Sequence, residues 1–142
     1  MPHSLVKICI HAVWSTKYRE HLIMPKVESA LYRHMKEQFE KLLCPAILIN
    51  GMPDHVHCLF RLHQNVAVAS VLKQVKGSSS FYMNDTRLAN QTFNWQNGYG
   101  AFAVAQSDVQ TVYNYIWNQK RHHQDESFSD EFNRLTDHNP IE

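Results

Sequence analysis

The hydrophobic period of this chain switches between two residues and about 3.6, and the order of the switches limits the folds open to it. Leu5 to Ser15 alternates, with Val6, Ile8, Ile10, Ala12 and Trp14 on one face and Lys7, Cys9 and His11 on the other. That is the pattern of a half-buried strand. The polar, basic Thr16-Lys17-Tyr18-Arg19-Glu20 reads as a loop, and Pro25 sits where a helix would start. Val27, Ala30, Leu31, His34, Met35, Gln38, Phe39 and Leu42 then repeat at helical spacing, and Pro45 ends the run.

Ala46 to Asn50 is a short apolar strand, Gly51-Met52-Pro53-Asp54 a turn, and His55 to Leu62 a second strand. Val66 to about Asn84 reads as a helix weakened at Gly77-Ser78-Ser79-Ser80. Asn94-Trp95-Gln96-Asn97-Gly98-Tyr99-Gly100 is rich in turn residues, and Ala101 to Ala105 is a strand. Ser107-Asp108 signals a helix start, with the helix running from Val109 to about His123 and one more short helix from Glu126. The order β-α-β-β-α-β-α predicts an α+β fold. Its first six elements have the ferredoxin-like, split βαβ order, an antiparallel sheet with the first two helices on one face. The later helix needs a place of its own.

A length of 142 residues suits one domain, expected to span 1–142. No apolar run approaches the roughly 20 residues of a membrane helix, and the first residues lack signal-peptide architecture. Cys9, Cys44 and Cys58 follow no metal-ligand spacing and read as reduced thiols, so a cytoplasmic protein is expected. A net charge of +1 argues against indiscriminate polyanion binding but leaves room for a local basic patch.

Two stretches carry chemistry. In Pro53-Asp54-His55-Val56-His57-Cys58-Leu59-Phe60, strand geometry turns His55 and His57 to one face and Val56, Cys58 and Phe60 to the core. Two adjacent imidazoles on the helix-free face can bind one metal ion, or be no more than exposed histidines. In Tyr113-Asn114-Tyr115-Ile116-Trp117-Asn118-Gln119, helical spacing puts Tyr115 and Gln119 on a shared face, which an amphipathic helix with a buried tyrosine also explains. Taken together they make a site: a Gln oxygen suits a hard divalent cation as third ligand, and a phenol on the adjacent turn is a competent nucleophile. Lys17, Arg19, Lys73, Lys76, Lys120 and Arg121 are candidates for DNA phosphate contacts, each also readable as solvated surface charge. Trp95 and Tyr99 are candidates for stacking on unpaired bases, or for packing.

These stretches resemble the HUH nucleases, and within them the single-tyrosine transposases of the insertion-sequence-two-hundred type. His55-Val56-His57 is similar to their histidine–hydrophobic–histidine signature, and Tyr115 to Gln119 to their tyrosine spacing. Further agreement lies in His11-Ala12-Val13-Trp14-Ser15-Thr16-Lys17-Tyr18-Arg19 and in Phe93 to Phe102, in the same order along nearly the whole chain. The resemblance implies a homodimer that binds imperfect hairpins in single-stranded DNA, with composite sites in which Tyr115 of one chain serves His55 and His57 of the other in at least one state. It implies cleavage through a 5′-phosphotyrosine on Tyr115, with Mg2+ or Mn2+ held by His55, His57 and Gln119. The alternatives are a domesticated relative acting on repeated chromosomal hairpins, a non-catalytic nucleic-acid-binding module of the same fold, and a metal hydrolase using water.

Overall fold

The computed structural model describes residues 4–122 and 126–138. Four strands, β1 (Cys9–Ser15), β2 (Ala46–Met52), β3 (His55–Arg61) and β4 (Gly100–Val104), form one antiparallel sheet in the order β2-β3-β1-β4. Helices α1 (Pro25–Lys41) and α2 (Val68–Asp85) pack on one face. This is the expected ferredoxin-like, split βαβ arrangement. Ile10, Ala12 and Trp14 of β1 and Val56, Cys58 and Phe60 of β3 meet Val27, Leu31, Met35 and Phe39 of α1 and Val71, Leu72 and Val75 of α2. The strand alternation thus names the core face correctly.

Several boundaries differ from the sequence reading. β1 begins at Cys9 rather than Leu5, because Leu5, Val6 and Ile8 run beyond the ends of β3 and β4 and remain exposed. The Ile8 carbonyl accepts from Leu62 N at 2.7 Å. β2 extends through Gly51 and Met52, leaving Pro53-Asp54 as a two-residue turn. Gly51 faces Val56 so closely that a Cβ there would collide with the His55 carbonyl. α1 ends before Pro45, the chain leaving through Leu43 at φ 59°. α2 runs unbroken through Gly77 to Ser80; Ser79 is buried and returns its hydroxyl to the Val75 carbonyl at 2.7 Å.

The second face is not left helix-free. It is covered by α3 (Val109–Trp117), α4 (Gln119–His122) and α5 (Phe128–His138). The single helix expected from Val109 breaks at Asn118, whose φ/ψ of −93°/19° is non-helical, and its expected end at His123 lies outside the described residues. Ile116 of α3 packs on Cys9 and Leu59, and Asn50 of β2 donates to the carbonyls of Ile116 at 2.9 Å and Trp117 at 3.2 Å. Those two bonds satisfy carbonyls that the break leaves without helical partners.

Candidate active site

β3 turns His55 and His57 to the face under α3–α5, where both are fully buried. β1 contributes His11 to the same face; its register sets Val13 opposite His57, so His11 lies one diagonal step away. His11 Nε2 and His57 Nδ1 are 2.8 Å apart, the rings stacked with centroids at 5.0 Å. On the other imidazole, Asp54 Oδ1 takes a hydrogen bond from His55 Nδ1 at 2.7 Å. The two outer nitrogens are therefore engaged, and both Nε2 atoms point inward.

They meet Glu131, which α5 inserts between the sheet and α3. Glu131 Oε1 lies 3.1 Å from His55 Nε2 and 3.1 Å from His57 Nε2. Its Oε2 accepts from the Tyr115 hydroxyl and, at 2.8 Å, from Gln119 Nε2. Gln119 Oε1 completes the ring at 3.2 Å from His55 Nε2. Gln119 and Glu131 are, like the two imidazoles, fully buried. Tyr115 and Gln119 flank the Asn118 break, and the structure brings both to the histidines of their own chain. Arg134, one turn beyond Glu131, donates to the Tyr115 hydroxyl at 3.0 Å and is held by Glu126 at 2.9 Å. Phe128 closes the site, its ring centroid 4.6 Å from that of His55.

The electrostatics follow from these contacts. Burial alone pushes His55 down, but Asp54 and Glu131 outweigh it and raise its pKa to about 9. Burial and the neighbouring His57 hold His11 down to about 3, so it is neutral at physiological pH. Burial and the hydrogen bond to Glu131 push the Tyr115 phenol above its ordinary range. At physiological pH the arrangement is a protonated phenol tied to a carboxylate.

His55, His57 and Glu131 offer ligand atoms within 4.8 Å of one another. Two imidazole nitrogens, a carboxylate and the Gln119 amide oxygen converge there, a donor set that fits a divalent cation. The outer bonds fit as well: Asp54 fixes the Nδ1–H form of His55, and neutral His11 can accept from Nδ1–H of His57.

The basic candidates divide. Lys17 and Arg19 lie exposed in a single 3-10 turn after β1, and Arg19 bonds Ser129 of α5. Lys73 and Arg121 are exposed on α2 and α4. Lys76 donates to the carbonyls of Gln96 and Gly98, both at 2.8 Å, and Lys120 pairs with Glu28 at 2.9 Å. Trp95 is core, donating to Ser79 Oγ at 2.9 Å, whereas Tyr99 is partly exposed. Sequence reasoning did not single out Glu131, His11, Asp54 or Arg134. Asp54 stood beside the histidine pair in the motif itself. His11 was on the correct strand face, but only the register of β1 against β3 makes it a neighbour.

The sequence profile of the family described as "Transposase IS200 like" matches residues 4–119. That span holds His55, His57, Tyr115 and Gln119 and stops before α5. The ISDra2 transposase TnpA of Deinococcus radiodurans is 24% identical over 114 residues, covering 77% of this chain and 81% of that protein. Among solved structures, a Deinococcus radiodurans R1 protein described as a transposase aligns with a TM-score of 0.65 at 22% identity, over 84% of this chain and 95% of that one. A REP-associated tyrosine transposase bound to a REP hairpin aligns with a TM-score of 0.64 at 14% identity, over 87% and 73%. These two structures share the fold.

Proposed function

The chain belongs to the IS200-like transposase family and is thus a DNA-cleaving and strand-transfer enzyme; from that premise we propose that it cuts and rejoins single-stranded DNA through Tyr115. The observation that carries the reading is the convergence of the Tyr115 hydroxyl and two imidazole Nε2 atoms on one buried carboxylate. Tyr115 Oη gives up its proton and attacks the phosphorus, the P–O3′ bond breaks, and the leaving 3′-oxygen takes up a proton, so that the strand is left as a 5′-phosphotyrosine with a free 3′-hydroxyl. Rejoining reverses the step, with a 3′-hydroxyl as nucleophile and the phenol oxygen as leaving group.

His55 Nε2, His57 Nε2, Gln119 Oε1 and the Glu131 carboxylate would hold a divalent metal, Mg2+ or Mn2+. Bound there, the cation would polarise a non-bridging phosphate oxygen and balance charge. Asp54 and His11 orient the two imidazoles. Glu131 and Arg134 hold the Tyr115 hydroxyl. Phe128 and Arg134 of α5 flank the site, so the scissile phosphate approaches Tyr115 past that helix.

The substrate we propose is single-stranded DNA carrying an imperfect hairpin. The hairpin held by the REP-associated relative supports this, as does a net charge of +1, which is small for wrapping a duplex. Lys17 and Arg19 are the basic residues best placed to meet phosphates near the site. We further propose a homodimer, the state in which the tyrosine helix could serve either its own or the partner's histidines. Labelled single strands with hairpins from the DNA flanking the coding sequence, incubated with Mg2+ or Mn2+, test the reading. A denaturation-resistant protein–DNA adduct supports it, and equal cutting of perfect duplex counts against it.

A further inference from the structure

Two stretches singled out in the sequence lie outside the metal and tyrosine centre: the turn after β1, which carries Lys17 and Arg19, and the Asn94–Gly100 loop. The structure locks them together. Lys17 N donates to the Asn94 carbonyl and Gln96 N to the Ser15 carbonyl, both at 2.9 Å, and Thr16 bridges to Trp95. On this braced backbone Tyr18 and Arg19 both take left-handed conformations, at φ 58° and 55°. Successive non-glycine residues rarely do so, and such strain tends to mark functional sites. One consequence is an aromatic ring presented to water, Tyr18 being 78% exposed.

Beside that ring opens a cavity of about 380 Å³ lined by Tyr18, Arg19, Gln96, Phe128 and Asn133. A second of about 170 Å³ adjoins it along Gln96 and Phe128 and reaches Tyr99. Phe128 lines both and also lies against His55, with centroids 4.6 Å apart. The cavity is therefore one ring away from the catalytic imidazoles.

Resting on the function proposed above, we infer that this cleft is a binding site for one unpaired nucleobase adjoining the scissile phosphate. Tyr18 supplies a π face on which any base can stack. The amides of Gln96 and Asn133 supply paired donors and acceptors of the kind that read a base edge. Arg19 lines the same cavity and supplies a cation for the flanking phosphate. A base can enter only if it is unpaired, so the cleft selects single strands by shape.

The experiment uses the full chain and the hairpin-bearing strand that yields the Tyr115 adduct. On the non-cleaving Tyr115→Phe background, the fluorescent base 2-aminopurine is placed in turn at each position flanking the cut. Stacking should quench it at one position. Tyr18→Phe should keep the quenching, and Tyr18→Gly, which accepts the left-handed φ, should abolish it. An abasic site at that position should weaken binding by about 10-fold in the parent and little in Tyr18→Gly, because the stacking partner is already gone. No quenched position, or unchanged sensitivity to the abasic site in Tyr18→Gly, overturns the inference while the adduct leaves the function standing. A wild type that forms no adduct on any strand overturns both.

Discussion

Glu131→Gln isolates the charge at the centre of the site while keeping its size. The carboxylate is fully buried and faces His55, whose pKa rises from 6.5 to about 9. At about 1.4 kcal/mol for each tenfold change in proton affinity, that rise corresponds to about 3 kcal/mol, the net of the pull of Asp54 and Glu131 over the opposing effect of burial. The Glu131 share is then about 1–2 kcal/mol, or a melting-temperature loss of about 3–8 °C for a chain of this size. The sign follows from the raised value: the contribution is complete below pH 6.5 and is lost as pH rises through about 9. In metal-free buffer, Glu131→Gln should be less stable than the parent at pH 6.5, and the two should converge by about pH 9.5. Urea unfolding across that range in EDTA measures it. A gap that stays constant with pH, or no gap at pH 6.5, would refute the reasoning.

Other outcomes follow from the same geometry. His57→Ala should remove metal-dependent cleavage while sparing most hairpin affinity, measured by gel shift against strand cutting; wild-type cutting would take His57 out of the site. His11→Phe preserves packing but removes the bond to His57 Nδ1, and should weaken Mn2+ binding by about 10- to 100-fold in a calorimetric titration. Mn2+ affinity should itself increase with pH up to about 9, because binding must displace the proton of His55; an affinity flat from pH 6.5 to 9 would contradict the ligand assignment. Mixing Tyr115→Phe with His57→Ala separates arrangements within a dimer. Recovered adduct on the His57→Ala chain means a tyrosine serving its partner, whereas no recovery means sites built within one chain, as in this structure.

What the sequence disclosed depended on periodicity. The two-residue alternation in Val56 to Phe60 was enough to turn His55 and His57 away from the core, since a strand has only two faces. The order of elements was enough for the sheet. Glu131 was not legible for the opposite reason: it lies 74 positions after His57, on a helix whose placement depends on tertiary packing. Its Glu/His contact has no local spacing to betray it. The Asn118 break was also hidden, because helical propensity runs on through Asn118-Gln119-Lys120, and the structure alone shows Asn50 satisfying the carbonyls before the break. Lys76 reads as a phosphate ligand by composition, yet two loop carbonyls claim its ammonium.

The central claim is that the Tyr115 oxygen becomes covalently joined to DNA. Wild-type protein and Tyr115→Phe are incubated with a hairpin-bearing single strand and Mn2+, digested with protease and nuclease, and analysed by mass spectrometry. The account predicts a nucleotide linked through a 5′-phosphate to the peptide containing Tyr115 in the wild type, and none in Tyr115→Phe. A nucleotide attached instead to Tyr113, or an adduct that persists in Tyr115→Phe, would contradict it.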